Sequence, residues 1–205
     1  SSNGTISTIN YSVTAVAIPT NLGGKSNLTN FTSNYNRGSA NQLVDGSGNY
    51  LFAGCGSLGS LNFYSTNLGA INFPSTFNNA SLSYLDLRYT SIKGGRGGVS
   101  DGSQTHVIHP ETFRDAVELS YILIDSKNLG SGFPSGKNII HPDAFLFNTK
   151  LYYIWYRSYG RTTGDISQLF NANPALTYIW MQSNAFSGTI PNFTSNPSIY
   201  YVNLQ

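Results

Sequence analysis

Apolar residues recur along this chain at places 1, 4, 6 and 11 of an eleven-residue stretch. Leu58, Leu61, Phe63 and Leu68 fill those places first, and Leu82, Leu85, Leu87 and Ile92 fill them next. Leu119, Ile122, Ile124 and Leu129 follow, then Leu151, Ile154 and Tyr156, where place 11 falls on Arg161. Leu176, Ile179, Met181 and Phe186 make a fifth set, and Ile199, Val202 and Leu204 begin a sixth that stops at Gln205. The starts lie 24, 37, 32, 25 and 23 residues apart. A second mark precedes each set. Phe52, Phe113, Phe145, Phe170 and Phe193 each stand six residues before place 1, and Phe77 stands five before. The alternation at places 4 and 6 predicts a short half-buried strand in every unit. Such a strand cannot bury its apolar side alone, so the units must stack.

The pattern over roughly residues 52–205 resembles the leucine-rich repeat superfamily, L-x-x-L-x-L-x-x-N-x-L. The run Ser187-Gly-Thr-Ile-Pro-Asn-Phe193 is similar to the extracellular plant-type class, whereas His109-Pro-Glu-Thr-Phe113 and His141-Pro-Asp-Ala-Phe145 look more like the bacterial and animal extracellular classes. Place 9, where the superfamily writes Asn, carries it at Asn184 and otherwise carries Thr66, Thr90, Lys127 and Tyr159. The resemblance implies a β-dominated α/β solenoid, a right-handed superhelix of about six repeats with the last truncated. Its strands would form a parallel concave sheet, and its convex side would be mostly irregular or 3-10. The two His-Pro segments set Pro where a helical turn starts and an acid just after it, and nothing there is periodic long enough for a stable α-helix.

Residues 1–51 do not fit the template. Within them 11–19, YSVTAVAIP, alternates and reads as a strand, and 20–50 is rich in Gly, Ser and Asn. This part is expected to be an N-terminal cap or the junction to a preceding domain, since an open solenoid end exposes core. The opening Ser1-Ser2 suggests a processed or excised piece. Gln205 falls in mid-strand, so more chain or a covering partner is expected at the C-terminal end.

If places 4 and 6 point to the core, places 3, 5 and 7 point away from it. Place 3 reads Ser60, Tyr84, Tyr121, Tyr153, Tyr178 and Tyr201; place 5 reads Asn62, Asp86, Leu123, Trp155, Trp180 and Asn203; place 7 reads Tyr64, Arg88, Asp125, Arg157, Gln182 and Gln205. Tyr152 and Tyr200 add rings at place 2. A contiguous exposed aromatic strip marks an interaction surface, and Tyr and Trp offer stiff area with a hydrogen-bonding tip. The expected ligand-binding residues are Tyr84, Tyr121, Tyr153, Trp155, Arg157, Tyr178, Trp180 and Tyr201. The plainer reading of the tyrosines is stacking along the sheet that stabilises it. Two insertions, 94–106 and roughly 131–137, leave the units on one edge and are expected either to form a lip beside the strip or to be tolerated surface loops.

Charge narrows the possibilities. Only 10% of the 205 residues are charged, and the net charge of +2 gives no footprint for nucleic acid. Gly94-Gly-Arg-Gly-Gly98 occurs once and reads as a flexible loop. No run approaches the ~20 apolar residues that span a bilayer, so membrane insertion is not expected. A single cysteine, Cys55, excludes an internal disulfide framework and is expected to be a small buried residue. His109 and His141 are expected to serve turns; His106 and His109 lack an evident third metal ligand. No Ser or Cys has a placed base, and Asp86 and Asp125 fall in different columns, so no catalytic residue, metal or cofactor is expected. Sequons at Asn3, Asn10, Asn27, Asn30, Asn79 and Asn192 suit a glycoprotein without demonstrating one.

The expected function is a non-enzymatic recognition or adhesion module, extracellular, on a cell surface or on a virion, that binds a surface glycan or protein. It could form part of a viral or phage attachment protein. The alternative is a structural subunit that uses the same face and the open end for self-assembly.

Overall fold

The computed structural model describes residues 6–12, 15, 17–19, 22–37, 43–44, 50–68, 76–91, 106–126 and 139–205. Residues 94–105 and 131–137 of the two insertions lie outside the described residues, as do Ile92, Lys127 and Leu129.

The strands are β1 (Thr8–Ser12), β2 (Asn30–Asn34), β3 (Ser60–Asn62), β4 (Tyr84–Thr90), β5 (His106–Ile108), β6 (Tyr121–Ser126), β7 (Ile139–Ile140), β8 (Tyr153–Arg157), β9 (Thr163–Asp165), β10 (Tyr178–Trp180), β11 (Ala185–Ser187) and β12 (Tyr201–Asn203). They form a long sheet in the order β1-β2-β3-β4-β6-β8-β10-β12 and a short sheet in the order β11-β9-β7-β5. Every named pairing in both sheets is parallel. From β4 onward successive strands alternate between the two sheets. The protein is thus β-dominated. Among the described residues the only helical elements are the 3-10 turns Pro110–Thr112 and Phe193–Ser195, so the α-helical part of the α/β label finds no counterpart there.

Register carries the repeat. Phe31, Leu61, Leu85, Ile122, Ile154 and Ile179 stand side by side across six strands and are all inaccessible to solvent. Leu87, Ile124, Tyr156 and Met181 are buried beside them. Tyr156 can join this column because its hydroxyl lies 2.9 Å from the Thr162 Oγ1, which satisfies a group that would otherwise be buried unpaired. Its unit is one residue longer before it turns inward: Arg161 is exposed and Thr162 is buried, which accounts for the missing apolar residue at place 11.

The marker phenylalanines pack into one spine. Phe77 stacks on Phe113 at 5.2 Å, Phe113 on Phe145 at 6.2 Å and Phe145 on Phe170 at 6.3 Å between ring centres. Midway between each marker and place 1 runs a ladder that the template did not include. Asn79 donates to the carbonyls of Phe52 and Cys55, Asn148 to those of Phe113 and Ala116, Asn173 to those of Phe145 and Asn148, and Asn196 to those of Phe170 and Asn173. A side-chain amide with two donors suits this place because the turn leaves two carbonyls of the preceding unit facing inward.

In the N-terminal region the described strands are Thr8–Ser12 and Asn30–Asn34; of the strand expected over 11–19, residues 11 and 12 are in a strand, residues 15 and 17–19 lie outside any, and 13, 14 and 16 lie outside the described residues. β1 and β2 continue the long sheet in register, with Ile9 beside Phe31 and Phe31 beside Leu61. The short sheet was also unforeseen. In it Gly164, at φ +114°, lets β9 approach β7 so closely that a Cβ there would stand 2.8 Å from the Ile139 Cγ2.

Candidate functional site: the solvent-facing side of the long sheet

Pleating turns alternate residues of each strand away from the core. On that side Tyr84, Tyr121, Tyr153, Tyr178 and Tyr201 stand in one register column, with Ser60, Asn30 and Thr8 completing it toward β1. The next column reads Thr32, Asn62, Asp86, Leu123, Trp155, Trp180 and Asn203. Arg88, Asp125 and Arg157 form a third. All eight expected ligand-binding residues therefore lie on one side of the sheet, on β4, β6, β8, β10 and β12.

Ring orientation refines the picture. Trp155 and Trp180 are half-buried and lie parallel, 4.8 Å apart with planes 7° from each other. The guanidinium of Arg88 reaches across β6 and lies 5.7 Å from the centre of the Trp155 ring, while Tyr201 leans on Trp180 at 5.4 Å. Both faces of each indole are thus covered, and the edges are what remains. Both indole Nε1 atoms are buried and have no hydrogen-bond partner. The tyrosines form a zigzag at the start of the strands: Tyr121 packs with Tyr152 at 5.6 Å, Tyr152 with Tyr178 at 5.8 Å and Tyr178 with Tyr200 at 5.5 Å. Tyr121, Tyr152 and Tyr200 are exposed, whereas Tyr84, Tyr153, Tyr178 and Tyr201 are intermediate.

Charges on this side are paired. Arg88 grips Asp86 of its own strand through Nε and Nη2, with Nη2 at 2.7 Å, and the Tyr84 hydroxyl donates to the same carboxylate at 3.2 Å. Burial, with the negative charge of Asp86, raises the Tyr84 phenol above its ordinary pKa. Arg157 donates to Asp125 of the neighbouring strand at 2.6 Å and to the Tyr159 hydroxyl at 2.8 Å. Both carboxylates are almost wholly buried. Each therefore neutralises an arginine, an arrangement unlike an acid and base poised on a substrate.

A second aromatic row, of which the template had placed only Tyr64 on this side, lies at the other end of the strands. Tyr35, Tyr64 and Tyr89 pack edge to face at 5.4 and 5.2 Å, and Tyr159 lies under Arg157 at 4.7 Å. For Tyr35, Tyr89 and Tyr159 the available signal was tyrosine at place 8 or 9, where a left-handed backbone keeps the ring outside.

The remaining signals resolve as follows. His109 caps the turn Pro110–Thr112, its Nδ1 accepting from the Glu111 amide at 3.2 Å while the Thr112 hydroxyl accepts from the His109 amide. His141 Nδ1 accepts from the Asp143 amide at 3.0 Å. Both histidines thus serve turns, as their sequence places suggested. Cys55 is fully buried; its thiol donates to the Leu22 carbonyl at 3.2 Å, and burial raises its pKa. Asn79 is a buried ladder residue, so its sequon is closed in the folded chain, while Asn10, Asn27, Asn30 and Asn192 are exposed. Among the described residues no group of three potential metal ligands assembles, and no helix is long and apolar enough to cross a membrane. Cavities of about 320 and 360 Å³ share Pro142 and Gln168 beside the short sheet, and none of their lining residues lies on the aromatic side.

Comparison of the chain with protein-family models, with curated proteins and with solved structures finds no match.

Proposed function

We propose that the chain is a leucine-rich-repeat solenoid acting as a non-enzymatic recognition or adhesion module outside the cytoplasm. The sequential strand order, the alternation of strands between two sheets and the phenylalanine spine support the solenoid. The proposed ligand is a glycan or protein on a surface, held by the face that carries Tyr84, Tyr121, Tyr153, Trp155, Arg157, Tyr178, Trp180 and Tyr201. A place on a virion or phage attachment protein suits the low charge and single cysteine.

The observation that carries this reading is the unbroken aromatic surface across five adjacent strands, with its charges already neutralised. Within it the tryptophans serve as a rigid spine. Tyr121, Tyr152 and Tyr200 offer the accessible rings, large in area and low in conformational cost. The test is binding of the whole chain to a printed glycan panel and to intact cells, compared with a Tyr121→Ala/Tyr152→Ala double variant. Loss of binding with an unchanged melting temperature is expected; unchanged binding rejects the face.

One observation favours a second reading, self-assembly. On edge strand β12 Val202 is 36% exposed, although its counterparts on β2, β3, β4, β6, β8 and β10 are fully buried. A second copy adding its β1 against β12 would cover it, giving a head-to-tail contact that does not close on itself. Sizing across a concentration series without ligand separates the two readings.

A further inference from the structure

Among the described residues five other than glycine hold a left-handed backbone: Tyr35, Ser65, Tyr159 and Ser183 just past strands of the long sheet, and Tyr89 at the register shift near the end of β4, with φ between 55° and 58°. The conformation has a structural reason. It turns the Tyr35 amide onto the Tyr64 carbonyl at 2.9 Å and the Ser65 amide onto the Arg88 carbonyl at 2.8 Å, so bonding between units continues past the strand. That reason does not ask for tyrosine. A residue with a β-carbon costs roughly 1–2 kcal/mol in this conformation, and Gly or Asn relieves it. Three of the five places nevertheless carry a bulky ring, and those rings are not spent on the core: Tyr35 is 50%, Tyr89 48% and Tyr159 40% exposed. Strain of this kind, kept where packing gains little, points to a function for the side chain.

The chemistry around the rings narrows what they meet. Tyr35 and Tyr89 flank Tyr64 at steep angles of 69° and 81°, making a corrugated platform, and the Arg88 guanidinium lies 5.2 Å from the centre of Tyr64. Farther along, Arg157 donates to the Tyr159 hydroxyl. Both guanidinium groups are held by buried carboxylates, Asp86 and Asp125. An anionic ligand would have to displace those carboxylates, and a cationic one would meet two arginines. An aliphatic ligand would strip water from the exposed phenol hydroxyls and put no hydrogen-bonding group in its place.

Resting on the reading of this side of the sheet as the ligand face, we infer that the row Tyr35, Tyr64, Tyr89 and Tyr159, with Arg88 and Arg157, is a subsite for an uncharged saccharide. The C–H face of a sugar ring packs on the phenol rings, and its hydroxyls exchange hydrogen bonds with tyrosine hydroxyls and guanidinium edges. The strained backbone at Tyr35, Tyr89 and Tyr159 holds their rings where they point out of the sheet.

The test uses the full chain against a printed panel of neutral and sialylated oligosaccharides. Tyr35→Gly and Tyr89→Gly remove the ring and relieve the backbone together. The expected result is an unchanged or higher melting temperature with at least a roughly tenfold loss of binding to neutral members of the panel. Tyr89→Phe, which keeps the ring, should retain most of the binding. Three results overturn the proposal: equal binding by the glycine variants, a wild-type preference for sialylated members, or no binding of wild type to the panel. The wider reading is judged separately by Tyr121→Ala/Tyr152→Ala on intact cells, because those rings lie at the opposite end of the strands.

Discussion

The two sides of the long sheet are built on one backbone and one register, yet they are written differently. Facing the core, a column is nearly uniform: Leu61, Leu85, Ile122, Ile154 and Ile179 are interchangeable in kind, and all are sealed from solvent. Facing solvent, the same strands carry Thr, Asn and Ser at the β1–β3 end and tyrosine and tryptophan from β4 onward. Burial alone explains the first column, because any aliphatic residue of the right size gains by leaving water. It does not explain the second, where position is fixed by the pleat and identity is free. Mutations should therefore have large effects on stability on one side and small ones on the other.

The most damaging break in that contrast is in the spine. Phe145→Ala opens a cavity between Phe113 and Phe170 and should lower the unfolding free energy by about 3–5 kcal/mol in urea titration. Next is the amide ladder: Asn148→Ala removes two buried hydrogen bonds to the carbonyls of Phe113 and Ala116, which keep the Ala116 and Leu119 amides as donors, and should cost about 1–3 kcal/mol by the same measurement.

A third effect depends on pH. Burial, opposed in part by the Thr162 hydroxyl, raises the Tyr156 phenol well above its ordinary pKa. The unfolded chain ionises that phenol from about pH 10 while the folded chain does not. The stability this group contributes is therefore intact below pH 10 and lost as pH rises beyond it. Tyr156→Phe should show a shallower alkaline fall in unfolding free energy than wild type. The solvent side closes the series: Trp155→Ala forfeits the indole stack, about 1 kcal/mol beyond the area the ring buries, and should cost less than Phe145→Ala. A loss as large as that of Phe145→Ala would erase the distinction between the sides.

Much of this was legible in the residues. Places 4 and 6 located β3, β4, β6, β8, β10 and β12 and told the core side from the solvent side, and the placement of the expected site residues on one side followed. The His-Pro pairs gave the capped turns. What stayed hidden has specific causes. β2 has Leu28 and Phe31 at places 1 and 4 but a buried Ser33 at place 6, so its unit broke the apolar rule, and Asn36 donates to that Ser33 hydroxyl. In β1 the weak signal of Ile6, Ile9 and Tyr11 was masked by the stronger alternation that follows it. The short sheet is made of two- and three-residue strands, too brief for any period to register. The amide ladder was obscured because Cys55 and Ala116 occupy its place in two units. The left-handed tyrosines were invisible because sequence gives no reason to put a ring where the backbone prefers glycine.

The paired indoles have an optical consequence. They are the only two tryptophans in the chain, and they touch. Nearly all ultraviolet emission excited at the red edge of the protein band therefore originates from a single spot, with one indole quenching or sharing the excited state of the other. Any change in the contact between Arg88 and Trp155 alters the colour and yield of that light, so the molecule carries its own unlabelled reporter on the face proposed for binding.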